Sequence, residues 1–485
     1  MRQRQEIAAD LAARGIPVSS GSLSACCDRF LQLLQALHQH RAPALRAAMT
    51  HGYPLHVDAT CDKGRGGLFL CLDGWRRWVL HAVRIRSENA AEMRPAIETT
   101  LAAFGQPVAS MRDLGSAIAK AVSGCLPPGS VNLVCHFHFL AAVGRKLLDA
   151  DHAALNRALS QLRVRSALRS LLRPLRAQVR RPAADARQLD LPALLLWTLQ
   201  GDGRKQLPYP FGLAHWNLYQ RCQQFDELAR RRLPRPRSRL EQSTIEQVRD
   251  LLQPLSWDTF GLPATAARIQ NRQALFAELR AILRLRHDEL RGREPRPLPS
   301  PSDSVALLES LASRVTQFRE QLRQRVQPAG KTGTSAESVV LSYLDRYRNQ
   351  LFGHPVAHDE SGRLVAVVER TNNPAEHFFA SAKRRLRRRL GHANLGRAMQ
   401  DQPAQAALTA NLLDPQYVKI LCGTLEGLPR AFAELAPSDA GWSGAALDRP
   451  RPDAHLQRRI RAWETDAKSS PSAPLASPLE TAPKS

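Results

Sequence analysis

Three extended runs, Leu55 to Thr60, Gly67 to Leu72 and Trp75 to Arg86, stand in a row and pass into a regular alternation of strands and helices. That order constrains the fold more than any other feature. The Asp73-Gly74 pair between the second and third runs is a hairpin signal, because Gly accepts the positive φ of a two-residue turn. A polar turn, Asp62 to Gly66, separates the first two. A helix then runs from a cap at Ser87 to a stop at Gly105, with Pro95 expected to kink it. Next come a strand over 107–113, a helix over 115–124, a strand over 130–138 and a helix over 139–150. An antiparallel meander followed by this alternation predicts an α/β fold, a mixed sheet with helices on both faces.

The flanking segments differ in period. Residues 1–50 read as two short helices, with Ile7, Leu11, Leu23, Phe30, Leu31, Leu34 and Leu37 at helical spacing, Gly15 as a stop and Ser20 or Ser22 as a cap. They are compatible with a helix-turn-helix that binds DNA, and equally with an ordinary helical hairpin. The first part of the sheet core is assigned to 51–150. Residues 151–350 are expected to be an all-helical insertion, broken by prolines at 234, 236, 295, 297, 299 and 301. The second part of the core, 351–435, contains a strand over 363–369 and a helix from Pro374 to Leu390. The Ser- and Pro-rich stretch 436–485 has the composition of a disordered tail.

Charge narrows the function classes. There are 69 basic and 44 acidic side chains, a net +25, and such an excess favours a polyanionic partner because neutralised phosphates release condensed counterions. Nucleic acid ranks ahead of an acidic membrane surface. No stretch has the roughly 20 apolar residues that cross a bilayer, and the N-terminus lacks an apolar signal core, so a cytoplasmic protein without a membrane partner is expected. The eight cysteines form no C-x-x-C pair and are expected to be reduced.

Certain acidic residues stand out against the apolar strands. Asp58 lies inside the run YPLHVDAT, where a carboxylate is costly unless paired or metal-bound. Asp113 ends the strand before Leu114-Gly115, where a turn or cap role is the ordinary alternative. Glu376 follows Asn373 and Pro374 as the third residue of a helix, so Asn373 and Glu376 also make a plausible capping box. Lys383, seven residues later, returns to within about 20° of Glu376 around the helix. Arg387 shares that edge, beside an apolar stripe of Phe379, Ala382, Leu386 and Leu390.

In this order the chain resembles the DDE transposases of the bacterial insertion-sequence and Mutator-like groups. These have an RNase H-like catalytic core interrupted by an all-helical insertion. The matching residues are Asp58 on the first strand, Asp113 after the fourth, Cys135-x-x-His138 on the fifth and Glu376-x6-Lys383 behind RTNN, over roughly residues 50 to 425. No N-terminal zinc module is visible. The resemblance implies that Asp58, Asp113 and Glu376 are catalytic and hold two Mg²⁺ ions, with Mn²⁺ as a substitute, and that Cys135 and His138 are accessory. It implies cleavage and strand transfer on transposon ends and target DNA, by a homodimer or higher oligomer at the bacterial nucleoid. The rival readings are a domesticated DNA-binding protein without activity and a nuclease with the same core that does not rejoin strands.

Lys383, Arg384, Arg387, Arg388 and the Arg stripe from Arg163 to Arg181 read as phosphate contacts. Trp197 and Trp216 in the insertion are candidates for stacking on an unpaired base, against the commoner core role. Asp62, Asp73 and Glu369 are rival acids, but the first two fall in turns and Glu369 has Glu376 rather than a base seven residues on. Zinc at Cys135 and His138 needs further ligands, for which the distant His354 and His358 have comparable spacing. The GKTG at 330–333 lacks the earlier Gly of a phosphate loop, since that position is Arg325.

Overall fold

The computed structural model describes residues 4–60, 67–175, 191–201, 207–232, 239–257, 261–285, 289–291, 300–326, 335–391 and 395–435. The stretch 436–485, expected to be disordered, lies outside the described residues, as do the Asp62 to Gly66 turn, Arg176, Arg180, Arg181 and GKTG.

Helices α1 (Arg4–Ala13), α2 (Ser20–His40) and α3 (Ala42–Ala47) open the chain. Ser19, not Ser20 or Ser22, caps α2, its hydroxyl accepting the Ser22 N–H at 3.0 Å. The second half of α2 is not a detached arm. Leu34 and Leu37, with Leu45 of α3, are fully buried in the same core as the first sheet strands. His38 there hydrogen-bonds the Tyr417 hydroxyl at 2.7 Å and the Leu80 carbonyl at 2.9 Å.

Strands β1 (Pro54–Thr60), β2 (Gly67–Asp73) and β3 (Val79–Ile85) form the expected meander. The third begins four residues later than Trp75, where the sequence placed it. Asp73 accounts for the delay: its Oδ1 accepts the Trp75 N–H at 2.8 Å and its Oδ2 meets Arg76 at 3.1 Å, holding a wider loop than a two-residue turn. Gly74 is required in that loop, because a Cβ there would stand 2.3 Å from the His56 ring.

Helix α4 (Ala90–Phe104), β4 (Ala109–Arg112), α5 (Ser116–Cys125) and β5 (Asn132–Val134) follow. Asn89, two residues past the expected Ser87, caps α4 through its Oδ1, and Gly105 ends it as predicted. The five strands make one sheet in the order β3-β2-β1-β4-β5. The β3, β2 and β1 pairings are antiparallel, and the β1, β4 and β5 pairings parallel. The fold is therefore mixed α/β, with a mixed sheet as its organising layer.

Helix α6 (His136–Gln161) leaves the end of β5 and crosses residue 150 without a break, so it belongs to sheet and insertion together. Its apolar face, including Leu140, Val143 and Leu147, joins a second core built with α7 (Val164–Leu172), α8 (Leu191–Gln200), α9 (Ala214–Arg232), α10 (Arg239–Leu252), α11 (Leu262–Leu283), α12 (Pro301–Arg325) and α13 (Ala336–Leu351). Pro301 begins α12 under a Ser300 cap, the placement a proline tolerates in a helix. Strands β6 (Val356–His358) and β7 (Leu364–Val367) pair only with each other, so the strand expected at 363–369 does not widen the main sheet. Helix α14 (Asn373–Leu390) then returns to β1. Helices α15 (Gly396–Asp401), α16 (Pro415–Cys422) and α17 (Leu428–Ala433) close the described chain.

Candidate active site

Parallel pairing aligns the candidate acids. His56 on β1 stands opposite Met111 on β4, so two residues further Asp58 faces the position of Asp113, just past the end of β4. Arg112 stands opposite Val134, which places Cys135 in the next column. Asp58, Asp113 and Cys135 thus occupy neighbouring positions along one edge of the sheet, beyond the carboxyl ends of β4 and β5. Ligand sites in parallel sheets form at such edges. Asp58 is only 8% exposed, and its Oδ1 accepts the Ala59 N–H at 2.8 Å. Asp113 is half-buried, and its Oδ1 accepts the Gly115 N–H at 2.9 Å. A Cβ at residue 115 would stand 3.0 Å from that oxygen, so glycine lets the turn close on the carboxylate.

The RTNN segment delivers the third acid. All four of its residues are buried. The Arg370 guanidinium donates to the carbonyls of Leu283 and Arg284, at 2.7 and 3.0 Å, and pairs with Glu289 at 2.8 Å, while its own carbonyl accepts the His136 N–H. Asn372 bonds His56 and the Val57 carbonyl, and its N–H meets the Cys135 sulfur. Asn372, rather than Asn373, holds the cap position of α14, and Glu376 is one residue deeper than expected. The capping box does not form. Asn372 is committed to β1, and Glu376 turns toward His138, its Oε1 3.5 Å from that ring's Nε2.

Cys135 and His138 were expected on a strand, but β5 stops at Val134. Cys135 is the cap of α6, and His138 lies in its first turn. The correction matters for geometry: the helical turn brings Cys135, His138 and Glu376 together, one ligand atom from each lying within 4.8 Å of the others. His354 and His358 do not join them. His354 bonds the carbonyls of Val368 and Leu351, and His358 is exposed on β6.

Burial first and neighbouring charges second shift the titrating groups here. Asp58 holds its proton well above the ordinary carboxylate range, chiefly through burial and then through the charges of Asp113 and Glu376. Glu376 is pushed up to about 7, by burial first and Asp113 second. Burial drives the His138 value down against the pull of Asp113, with Arg145 adding to the lowering. Burial and the Glu376 charge raise the Cys135 thiol. The charges of Asp113 and Glu376 thus add to the proton affinity of Asp58, and that of Asp113 to the proton affinity of Glu376, and carboxylate oxygens are the donors that a hard divalent cation takes.

The basic residues divide by exposure. Arg384, Arg387 and Arg388 project from α14 into solvent, together with Arg385 and Arg389, and among the described residues none of the five has a bonding partner. Lys383 is half-buried beside them. In the insertion Arg163, Arg169 and Arg173 are exposed, whereas Arg165 reaches His215 and Asn156.

Trp216 is 4% exposed and stacks on Tyr219 inside the helical core, so it is a packing residue and not a surface for a base. Trp197 is half-buried, with the Arg221 guanidinium 4.5 Å from its ring centre. The rival acids have structural partners. Asp73 holds its loop, and Glu369 pairs with Arg77 at 2.5 Å. Asp62 lies outside the described residues.

Sequence reasoning missed the positions that align this site. His56 and Asn372 are polar but wholly buried, and Arg145 lies seven residues beyond His138 on the same side of α6. The i+2 spacing of His56 to Asp58 on a strand was the available signal. No family model matches the chain, and no curated protein matches it.

Proposed function

We propose that the chain is a DNA transposase whose mixed sheet is an RNase H-like core and whose Asp58, Asp113 and Glu376 form a DDE catalytic set. The observation that carries this reading is the placement of three carboxylates, from β1, the end of β4 and the start of α14, at one edge of the sheet, where the Asp113 charge raises the proton affinities of Asp58 and Glu376. The strand order β3-β2-β1-β4-β5 and the helical segment between Asp113 and Glu376 support the same reading.

Asp58, Asp113 and Glu376 would hold two Mg²⁺ ions, or Mn²⁺ in their place, which when bound would supply a Lewis acid and a lowered pKa for the attacking hydroxyl. Asp58 and Asp113 provide fixed oxygen donors from the sheet edge, and Glu376 a third from the helix that Asn372 locks in place. Lys383 and the exposed arginines of α14 hold the DNA backbone along the helix leading away from the acids. Water and then a 3′-hydroxyl attack the phosphodiester in line as the opposite P–O3′ bond breaks and the 3′-oxygen leaves, taking up a proton as the nucleophile loses one, with no covalent protein intermediate. Pairing two transposon ends calls for at least two copies of the chain.

The test takes DNA flanking the gene, searched for inverted repeats, as the substrate for cleavage and plasmid joining. Cleavage with joining, lost in Asp58→Asn, Asp113→Asn and Glu376→Gln, is the expected result. Cleavage without joining identifies a nuclease, and binding without either reaction a domesticated DNA-binding protein.

A further inference from the structure

We infer that Cys135, His138 and Glu376 form a second metal site, specific for a thiophilic divalent cation such as Zn²⁺, which shares Glu376 with the all-carboxylate set and adds a sulfur and an imidazole to it. A sulfur, an imidazole nitrogen and a carboxylate oxygen from three side chains lie within 4.8 Å of one another. Tetrahedral coordination at the usual zinc distances needs ligand atoms about 3.3 to 3.8 Å apart, so small side-chain rotations close the site. The fourth position is left for water, as in sites with three protein ligands.

Further observations point to a cation here. Glu376 Oε1 is buried without a hydrogen-bond partner, and so is His138 Nδ1, leaving polar atoms that would otherwise be satisfied. Cys135 caps the 26-residue helix α6, and its sulfur receives the Asn372 N–H at 3.2 Å. That N–H supports the thiolate against the burial that raises the thiol, so the cation itself has to displace the Cys135 proton when it binds. Among the described residues this is the group of histidine, cysteine and acid side chains close enough to share an ion. Sulfur and imidazole together select zinc-like ions over Mg²⁺, which takes oxygen.

Glu376 belongs to both donor sets. A thiophilic ion at Cys135 and His138 therefore withdraws Glu376 from Asp58 and Asp113, and the two occupancies exclude each other. This competition, unlike the binding itself, rests on the proposed function.

Full-length protein titrated with Co²⁺ tests the site spectroscopically. The expected result is a thiolate-to-Co²⁺ charge-transfer band that saturates at a single equivalent, is bleached by Zn²⁺, and vanishes in Cys135→Ser. His138→Ala, at a side chain 26% exposed, covers the case in which Cys135→Ser does not fold. It should weaken Co²⁺ binding by at least the roughly tenfold that loss of even an outer partner costs. Absence of the band, its survival in folded Cys135→Ser, or wild-type affinity in His138→Ala overturns the inference. Asp58→Asn should bind Co²⁺ like wild type whether or not the chain is a transposase, so failure of the zinc-type site is separable from failure of the functional reading.

Discussion

Asn372 Oδ1 stands 3.0 Å from Nδ1 of His56, and both side chains are completely buried. The Asn372 amide nitrogen donates to the Val57 carbonyl at 3.1 Å, so its oxygen is the acceptor and His56 Nδ1 carries the proton. One side chain thus ties the approach to α14 onto β1, two residues from Asp58 and four from Glu376.

Asn372→Ala removes both bonds and strands two buried polar groups, each costing about 1 to 3 kcal/mol. A loss of about 2 to 4 kcal/mol in unfolding free energy is expected from urea denaturation. Asn372→Asp should be no better, because a carboxylate cannot donate to the Val57 carbonyl and adds a buried charge. A variant within experimental error of wild type would show that α14 is held elsewhere.

Glu376 provides a stability test with the opposite sign. Its proton affinity is higher in the folded chain, about 7 against an ordinary 4.5, so the stabilisation exists below pH 4.5 and disappears as pH rises through 7. The shift corresponds to about 3 kcal/mol at most. Metal-free Glu376→Gln should therefore match wild type near pH 4 and exceed it by about 1 to 3 kcal/mol near pH 8. Mg²⁺ should raise the melting temperature of wild type and leave that of the variant nearly unchanged. A variant less stable than wild type at pH 8 contradicts the account of a strained carboxylate set.

Much of this arrangement was legible in the chain, and the reasons differ by residue. Asp58 was visible because an acid in an apolar run violates the burial rule, Asp113 only through its place at a strand end in the ordered set of acids, and Glu376 because Lys383 lies almost directly along the helix from it. Cys135 and His138 were placed on a strand, since a short apolar run does not reveal where pleat gives way to helix. The cap at Asn372 rather than Asn373 was hidden because two adjacent asparagines offer the same local chemistry; the tie to His56, 316 residues away in sequence, decides between them. Trp216 looked available for a base because amphipathic period alone does not tell which stripe of an inserted helix meets its neighbours.

Buried neutral histidines should set the acid limb of stability. His38 is lowered to about 4 and His56 to about 3, both mainly by burial, and His354 to about 4. A base whose folded value is depressed contributes stability above its unfolded value near 6.5, and that contribution drains away as pH falls toward 4. For His38 the difference amounts to about 3 kcal/mol. Between pH 6.5 and 4, His38→Gln should lose about 3 kcal/mol less than wild type, although it starts lower after losing the fit to Tyr417 and Leu80. Parallel pH profiles for the two proteins would mean that His38 is not the group that titrates.

The exposed face of α14 yields the last prediction, on DNA binding rather than stability. Arg384, Arg387 and Arg388 carry no partner among the described residues, so their removal leaves the interior untouched. If each neutralises one backbone phosphate, the slope of log affinity against log salt falls by about 0.9 per contact on duplex DNA. The triple alanine variant should keep the wild-type melting temperature while its slope drops by about 2 to 3. Its affinity should fall for all sequences alike, because phosphate contacts position DNA without reading bases. An unchanged slope in fluorescence anisotropy across a salt series would place the DNA track elsewhere, with the exposed Arg163, Arg169 and Arg173 of the insertion next to test.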